Sequence, residues 1–387
     1  MTKEIKTETP FDYLTHKDGK AFSRETINHW YIAHAYVLDK LKNIVFAPNV
    51  YGHLHVVVTG DSPLMLAVVR QVALSAHYVN YVEYDVYGKL VCTNRTIVTL
   101  VSQNENIVSE LKKEEYLCNL LDYCKYSVNG MEGNKDSYID IELQIVKVLS
   151  KNDMPNTVLM TEEDVQAFIQ SKKENNLYEI DTRSAVFASR MYNLGDVIGN
   201  LPAEDIHCAK RYTQALGKFQ HVQMPKKITP LIDDEKWKGN LTMVKESLSN
   251  LFCADCFESR SKGIERWQEK EQKKKANERD KKNKTIEDVW EKFNDALSRS
   301  EHERWVVEKL IMGYRPYSDQ ERFQYESLFG EERKAFRKKL KNNASDPAHV
   351  DLCSYHDLRR ISPDDLKYDS FLMLAIPKIL ERVRHAI

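Results

Sequence analysis

Apolar and polar positions change their period several times along the chain, and each change marks a predicted element. Phe22, Ile27, Trp30, Tyr31, Ala33, Tyr36, Val37 and Leu41 recur at roughly helical spacing before Pro48 interrupts, so positions 1–50 read as a helical amino-terminal segment. The period is lost at His53-Leu-His-Val-Val-Val-Thr-Gly60, a β-branched apolar run ending on glycine, as a buried parallel strand does. Ser62 then supplies an N-cap and Pro63 a first helical turn for an apolar helix reaching His77. After an aromatic-rich stretch, Thr96 to Val101 reads as a second strand and Glu105 to Tyr123 as a helix. Tyr138 to Val148 alternates as a third strand, and Thr157 to Met160 reads as a fourth that runs into the capping box Thr161-Glu-Glu-Asp164. Strands alternating with helices predict a Rossmann-like α/β domain with a parallel sheet and flanking helices over 51–225.

Beyond this the pattern is helical. Helices are predicted over Asp181–Tyr192 and onward to Phe219, with Arg183, Arg190 and Arg211 more naturally solvated than anion-binding. From Lys262 to Lys284 there are ten basic and five acidic side chains with Ile264, Trp267 and Ala276 as the apolar residues, a composition that buries no core. Positions 226–284 are accordingly read as a helical, charged linker. A second capping box, Thr285-Ile-Glu-Asp288, opens a mainly helical carboxyl-terminal domain over 285–387. Its first helix carries Ile286, Val289, Trp290, Phe293 and Leu297 on one face and ends at Gly313. A charged helix from Asp319 to Lys341 and a final helix opened by Ser362-Pro-Asp-Asp365 follow.

Two places carry candidate chemistry. His302, Trp305 and Lys309 share one face of the helix, and an imidazole, indole and ammonium in a stripe suit the wall of a pocket for a planar or anionic ligand; the alternative is a half-buried Trp with polar neighbours. The turn Gly60-Asp61-Ser62 lies where a dinucleotide fold holds a phosphate. It has one glycine of the three in G-x-G-x-x-G, a carboxylate at Asp61, and Ser102-Gln-Asn104 in place of the usual acidic ribose ligand. No HExxH, GxSxG or Walker lysine occurs, so neither catalytic residues nor a metal set are assigned.

Composition narrows the setting. With 387 residues and a formal net charge of −1, the chain has room for two or three domains and lacks the basic excess of a dedicated nucleic-acid binder. No apolar run reaches the roughly 18 residues of a membrane span, and the amino terminus lacks the apolar core of a signal peptide, so a cytoplasmic protein is expected. Seven irregularly spaced cysteines make no disulfide framework, and Cys253-Ala-Asp-Cys256 reads as structural thiols on a helix.

The carboxyl-terminal residues also carry a resemblance. Glu301-His302, Arg304-Trp305, Glu308-Lys309, Gly313-Tyr314, His349, Leu352, Tyr355, Leu358, Asp364-Asp365 and Tyr368-Asp369, in that order, resemble the RyR domain, a small helical repeat named for the ryanodine receptor and found also in bacterial proteins. The stretch between Tyr314 and His349 is longer and more charged than in the family, and Val350 stands where the family often has proline. The α/β half faintly resembles the NAD-binding domain of Trk-type potassium-transport regulators. By resemblance, the pairing implies a nucleotide-sensing protein of bacterial signalling or defence type. An adenine-type nucleotide would be held by His302, Arg304, Trp305, Lys309, Tyr314, His349 and Tyr355, with Gly60, Asp61 and Ser62 as a second phosphate site. NAD or an adenine nucleotide is the implied ligand, a homo-oligomer the expected state and an effector protein a further partner. The alternatives are an enzyme processing NAD or another nucleotide at the Rossmann-like domain, and a dimerising scaffold; binding is preferred over catalysis.

Overall fold

The computed structural model describes residues 11, 14, 16, 20–134, 137–146, 156–175, 241–275, 289, 290, 292–363 and 365–385. Helix α1 (Arg24–Leu41) leads into β1 (His55–Thr59) and α2 (Pro63–Ser75), where Ser62 accepts the Met65 N–H and Pro63 opens the helix as the sequence predicts. The next elements are β2 (Val82–Val86), β3 (Lys89–Thr93), β4 (Thr96–Val101), α3 (Ile107–Leu111), α4 (Cys118–Tyr123), β5 (Lys125–Val128), β6 (Met131–Asn134), β7 (Ile141–Val146), β8 (Thr157–Thr161) and α5 (Glu162–Asn175).

The six-stranded sheet has the order β6-β5-β7-β4-β1-β8, parallel except for the edge strand β6. Strand β1 is buried at four of its five positions, which explains its unbroken apolar run. Thr59 lies level with Val101 on one side and Thr161 on the other, so the carboxyl ends of β4, β1 and β8 form one rim. The chain leaves β1 toward β4 and later returns to the opposite side as β8, which makes this rim the topological switch point. The predicted strands are all present. The helix predicted over Glu105–Tyr123 is instead two short helices, because Tyr116 adopts a left-handed conformation with φ +73° between them.

Helices α6 (Leu241–Asp255) and α7 (Phe257–Lys275) follow, then α8 (Asn294–Ile311), β9 (Arg315–Pro316), α9 (Asp319–Ser327), α10 (Gly330–Lys341), β10 (Ala348–His349), α11 (Tyr355–Ile361) and α12 (Leu366–His385). The predicted helix over Asp319–Lys341 is broken at Gly330, where φ is +54°, and the final helix starts after the predicted capping box. The helices predicted between 180 and 220, and the box Thr285–Asp288, lie outside the described residues.

The linker reading of 226–284 is corrected in one respect. Phe257 and Ile264 of α7 are fully buried and pack with Leu297 of α8 and Met373 and Ile376 of α12 in a second core. A few apolar side chains on one face are enough, because Lys262, Lys270 and Lys273 fall on the other. The main core likewise crosses the predicted boundary: Val306, Val307, Leu310 and Ile311 of α8 join the sheet and α2. Gly263 shows how closely α7 seats. A Cβ there would sit 2.6 Å from the Phe46 carbonyl oxygen. Helix propensity favours alanine by about 1 kcal/mol, but overpacking against backbone costs about 1–3 kcal/mol. Gly263→Ala is therefore expected to lower the melting temperature by a few degrees in a calorimetric scan.

Candidate functional site

Helix α8 is the element around which the site is built, and almost all of its sides are buried. On one side lies a polar cluster. Arg304 donates bidentately to Glu301, with Nη2–Oε1 2.8 Å and Nε–Oε2 3.0 Å, and also to Glu308 Oε2 at 2.7 Å. Arg260 of α7 donates to Glu301 at 2.8 Å, Ser249 of α6 to Glu308 at 2.8 Å, and Lys309 to the other Glu308 oxygen at 2.7 Å. Burial alone would raise the Glu301 carboxyl, yet Arg304 and Arg260 overcome it and hold the group down at about 2.

A row of rings occupies the adjoining side. Tyr355 and His302 have centroids 5.7 Å apart, His302 and Trp305 are stacked at 6.3 Å, and Trp305 meets His349 edge-on at 5.0 Å. His302 Nε2 lies 2.8 Å from the Cys353 carbonyl, which puts its proton on that nitrogen. Burial pushes His302 down to about 4, so the ring is neutral at physiological pH. His349, on β10, accepts the Asp351 N–H on Nδ1 at 3.3 Å, leaving Nε2 as the protonated nitrogen without a hydrogen bond among the described residues. Burial lowers the His349 pKa well below its ordinary value, and Arg337, Lys341 and Lys309 depress it further.

Of those three cations, Arg337 and Lys341 are the least expected feature. Lys309 lies 5.7 Å from the Trp305 ring centroid. Arg337, on α10, pairs with Asp351 at 2.6 Å and Asp365 at 2.7 Å. One turn further, Lys341 is exposed at the rim, and loss of part of its water together with Lys309 and Arg337 lowers its pKa. The Asp351 carboxyl is pushed up to about 7 by burial and by Asp365, against the pull of Arg337. The edge of the ring row thus carries an excess of positive charge, a half-buried indole and a free imidazole N–H.

Of the seven residues predicted for this site, His302, Trp305, His349 and Tyr355 form the row, and Lys309 covers one end. Arg304 is fully buried and committed to Glu301 and Glu308, so it faces away from the row. Tyr314 is half-buried beyond Gly313, its carbonyl accepts from Asn119 Nδ2 at 2.9 Å, and its ring meets none of the others. Arg337 and Lys341 come from the charged stretch that departs from the RyR pattern, and no local spacing ties them to Trp305.

The Gly60 turn is built differently. Gly60 has φ +112° and its N–H is spent on the Val101 carbonyl at 3.0 Å. Asp61 accepts from Ser102 Oγ at 2.6 Å, and Ser62 caps α2. A Glu162 carboxylate oxygen lies 3.6 Å from where a Gly60 Cβ would be. Two carboxylates and a committed N–H leave little for a phosphate to bind. Among the described residues no group of three or more His, Cys, Asp or Glu could hold a metal ion, and no helix is long and apolar enough to cross a membrane. Cys253 and Cys256 are buried free thiols, both raised by burial. Comparison of the chain with protein-family models, characterised proteins and solved structures finds no match.

Proposed function

We propose that this protein is a non-catalytic nucleotide-binding sensor whose carboxyl-terminal module, of RyR type, receives an adenine-type nucleotide at the Trp305 end of the ring row. The observation that carries the reading is the His349 Nε2–H, without a hydrogen bond among the described residues and within electrostatic reach of Lys309, Arg337 and Lys341. A phosphate there gains one neutral and two charge-assisted bonds, and the base has Trp305 to lie against. Charge-assisted bonds of about 1.5–3 kcal/mol each and one stack give micromolar affinity after the cost of association. In this reading Arg304 holds α8 in shape instead of touching ligand, and the acidic Gly60 rim binds no phosphate. The protein works in the cytoplasm as a homo-oligomer and passes the signal to an effector protein.

Calorimetric titration of the full chain with ATP, ADP, AMP and adenosine tests this. Phosphorylated ligands are expected to bind at micromolar concentration, with adenosine at least 10-fold weaker and Lys341→Glu reducing ATP affinity at least 10-fold, in line with loss and reversal of one charge contact. Absence of heat and of Trp305 fluorescence change with every ligand at millimolar concentration would reject the reading. The nucleotide is expected to be recovered unchanged after prolonged incubation; chromatographic detection of a product would favour an enzyme working at the sheet rim.

A further inference from the structure

The β2–β3 hairpin carries an apolar surface that neither the sheet nor the ring row uses. Val82, Tyr84 and Val86 stand opposite Thr93, Val91 and Lys89 and share one face of the ribbon, while Glu83 and Asp85 share the other with Cys92 and Leu90. The Glu83 face is turned to the body of the molecule, because Glu83 accepts the Tyr355 and His356 N–H groups at 3.4 and 3.0 Å. The opposite face points outward, and Tyr84 and Val86 are each 43 % exposed on it. Tyr87 at the turn is wholly exposed, and Tyr51 is almost so at the root of the arm, where Gly52 is hydrogen-bonded to Asn80 and Asn94 at 2.7 and 3.2 Å. Half of the large apolar side chains exposed among the described residues thus lie on one arm, which makes a patch instead of the single scattered residues of an ordinary surface.

The turn gives an independent sign that the patch has a use. Tyr87 and Gly88 have φ of +55° and +80°, the same conformation as Asn129 and Gly130 at +49° and +80° in the β5–β6 hairpin. Asparagine is the residue this position favours, and a bulky aromatic is held there against its backbone preference. A turn built for folding alone would carry Asn at 87 as at 129, yet Tyr87 keeps a whole aromatic side chain in water at a cost to the turn.

The chemistry of the face decides its partner. Lys89 is its one charged member, too little to hold a nucleic acid or an anionic membrane. A contact between two copies about a two-fold axis brings each residue near its own counterpart, so it requires a surface free of like-charge repulsion; Val82, Tyr84, Val86 and Val91 provide one. Two nearly bare tyrosines at roughly 150–250 Å² each, with part of Tyr84 and Val86, offer on the order of 500 Å². A pair buries about 1,000 Å², the lower limit of a specific contact, which fits a reversible dimer.

We propose that the outer face of the β2–β3 hairpin is the interface between two copies of this chain, with Tyr84 and Val86 next to the two-fold axis and Tyr87 and Tyr51 at its margins. The proposal rests on the functional reading only in taking the protein to be a homo-oligomer, and it is independent of the nucleotide.

Sedimentation velocity of the full chain without nucleotide, from about 1 to about 100 μM, tests it, and a monomer–dimer equilibrium with its midpoint in that range is expected. Val86→Lys places two ammonium groups together at the axis and should raise the midpoint at least about 10-fold. Val86→Glu should do the same, and an equimolar mixture of the two variants should associate again. Tyr87→Asn separates interface from fold, since relieving the turn should raise the melting temperature of the monomer by about 1–3 °C while raising the dimer midpoint at least about 3-fold. It also carries the test if the Val86 variants do not fold. The inference is overturned if the chain is monomeric at about 100 μM, if the midpoint is unchanged in folded Val86→Lys or in Tyr87→Asn, or if the mixture of Val86 variants stays monomeric. An unchanged midpoint leaves a homo-oligomer made through another surface, so the functional reading outlives that result, and the nucleotide titrations decide it separately.

Discussion

Replacing Arg304 with methionine is expected to lower the melting temperature by about 5–10 °C, while leaving nucleotide affinity within about 3-fold of the parent once the protein is folded. The size follows from what is left behind. Arg304 is fully buried and supplies the positive charge shared by Glu301 and Glu308. Without it, Glu301 keeps Arg260, but among the described residues Glu308 keeps only Lys309 and the Ser249 hydroxyl. Removing one partner of a buried ion network costs about 3–5 kcal/mol, because an uncompensated charge stays in a dry environment. Adding Glu308→Gln to Arg304→Met is therefore expected to recover at least half of the loss, measured by calorimetry on the double variant. The cluster also has a pH signature. The folded pKa of Glu301, about 2, is below that of the unfolded chain, so its contribution is full above the ordinary carboxylate range and is lost as pH falls from about 4.5 toward 2. If instead Arg304→Met kept its melting temperature and lost the nucleotide, the residue would belong to the ligand site and the assignment of α8 faces would be wrong.

The faces themselves explain which part of the site was legible in the sequence. His302, Trp305 and Lys309 fall within about 60° of one another at 100° per residue, whereas Arg304 is about 200° from His302 and must point elsewhere. The spacing thus contained the correction to Arg304, but adjacency within the RyR pattern drew it into the site. Arg337 and Lys341 were illegible for another reason. They share a face of α10 at i and i+4, yet what brings that face to His349 is the Arg337 pairing with Asp351 and Asp365, a long-range contact that no local period encodes.

The sheet was more legible because its signals are local. The run at His55–Thr59, the cap at Ser62 and the glycine at Gly60 each specify backbone geometry directly, and each is found as read. The two hairpins passed unread although their turns were marked: Asn129-Gly130 and Tyr87-Gly88 both have positive φ at both central positions, and Asn-Gly is the usual signal for such a turn. Their strands are largely polar and half-exposed, so the alternation that identifies a core strand is weak. Tyr116 broke the helix predicted over Glu105–Tyr123 in the same way, since periodicity continues across a left-handed residue that composition does not announce.

Glu303→Gln is expected to stabilise the protein progressively as pH rises, with little difference from the parent at pH 5 and a melting temperature several degrees higher at pH 9. Glu303 lies on the remaining side of α8, fully buried, and among the described residues neither of its oxygens meets a hydrogen-bond donor. The groups facing it are Glu83, Tyr81 and Cys92 from the β2–β3 hairpin and its approach, Asp140 ahead of β7, Tyr138, and Cys353 ahead of α11. Burial raises Glu303 well above the ordinary range, and the carboxylates of Glu83 and Asp140 add to it. Glu83 is the better place for the negative charge of the pair, because it accepts the Tyr355 and His356 N–H groups at 3.4 and 3.0 Å and has Arg299 nearby. Since the folded pKa of Glu303 lies above the unfolded one, the folded state holds the extra proton: its stabilisation is complete below about pH 4.5 and is lost as pH rises through the folded value. Glutamine keeps the shape and stays neutral, so it removes that slope. Glu83→Gln should behave in the opposite sense, losing about 1 kcal/mol with the charge at the start of α11. Differential scanning from pH 5 to 9 checks both variants, and a Glu303→Gln profile parallel to that of the parent would show that Glu303 does not hold the proton.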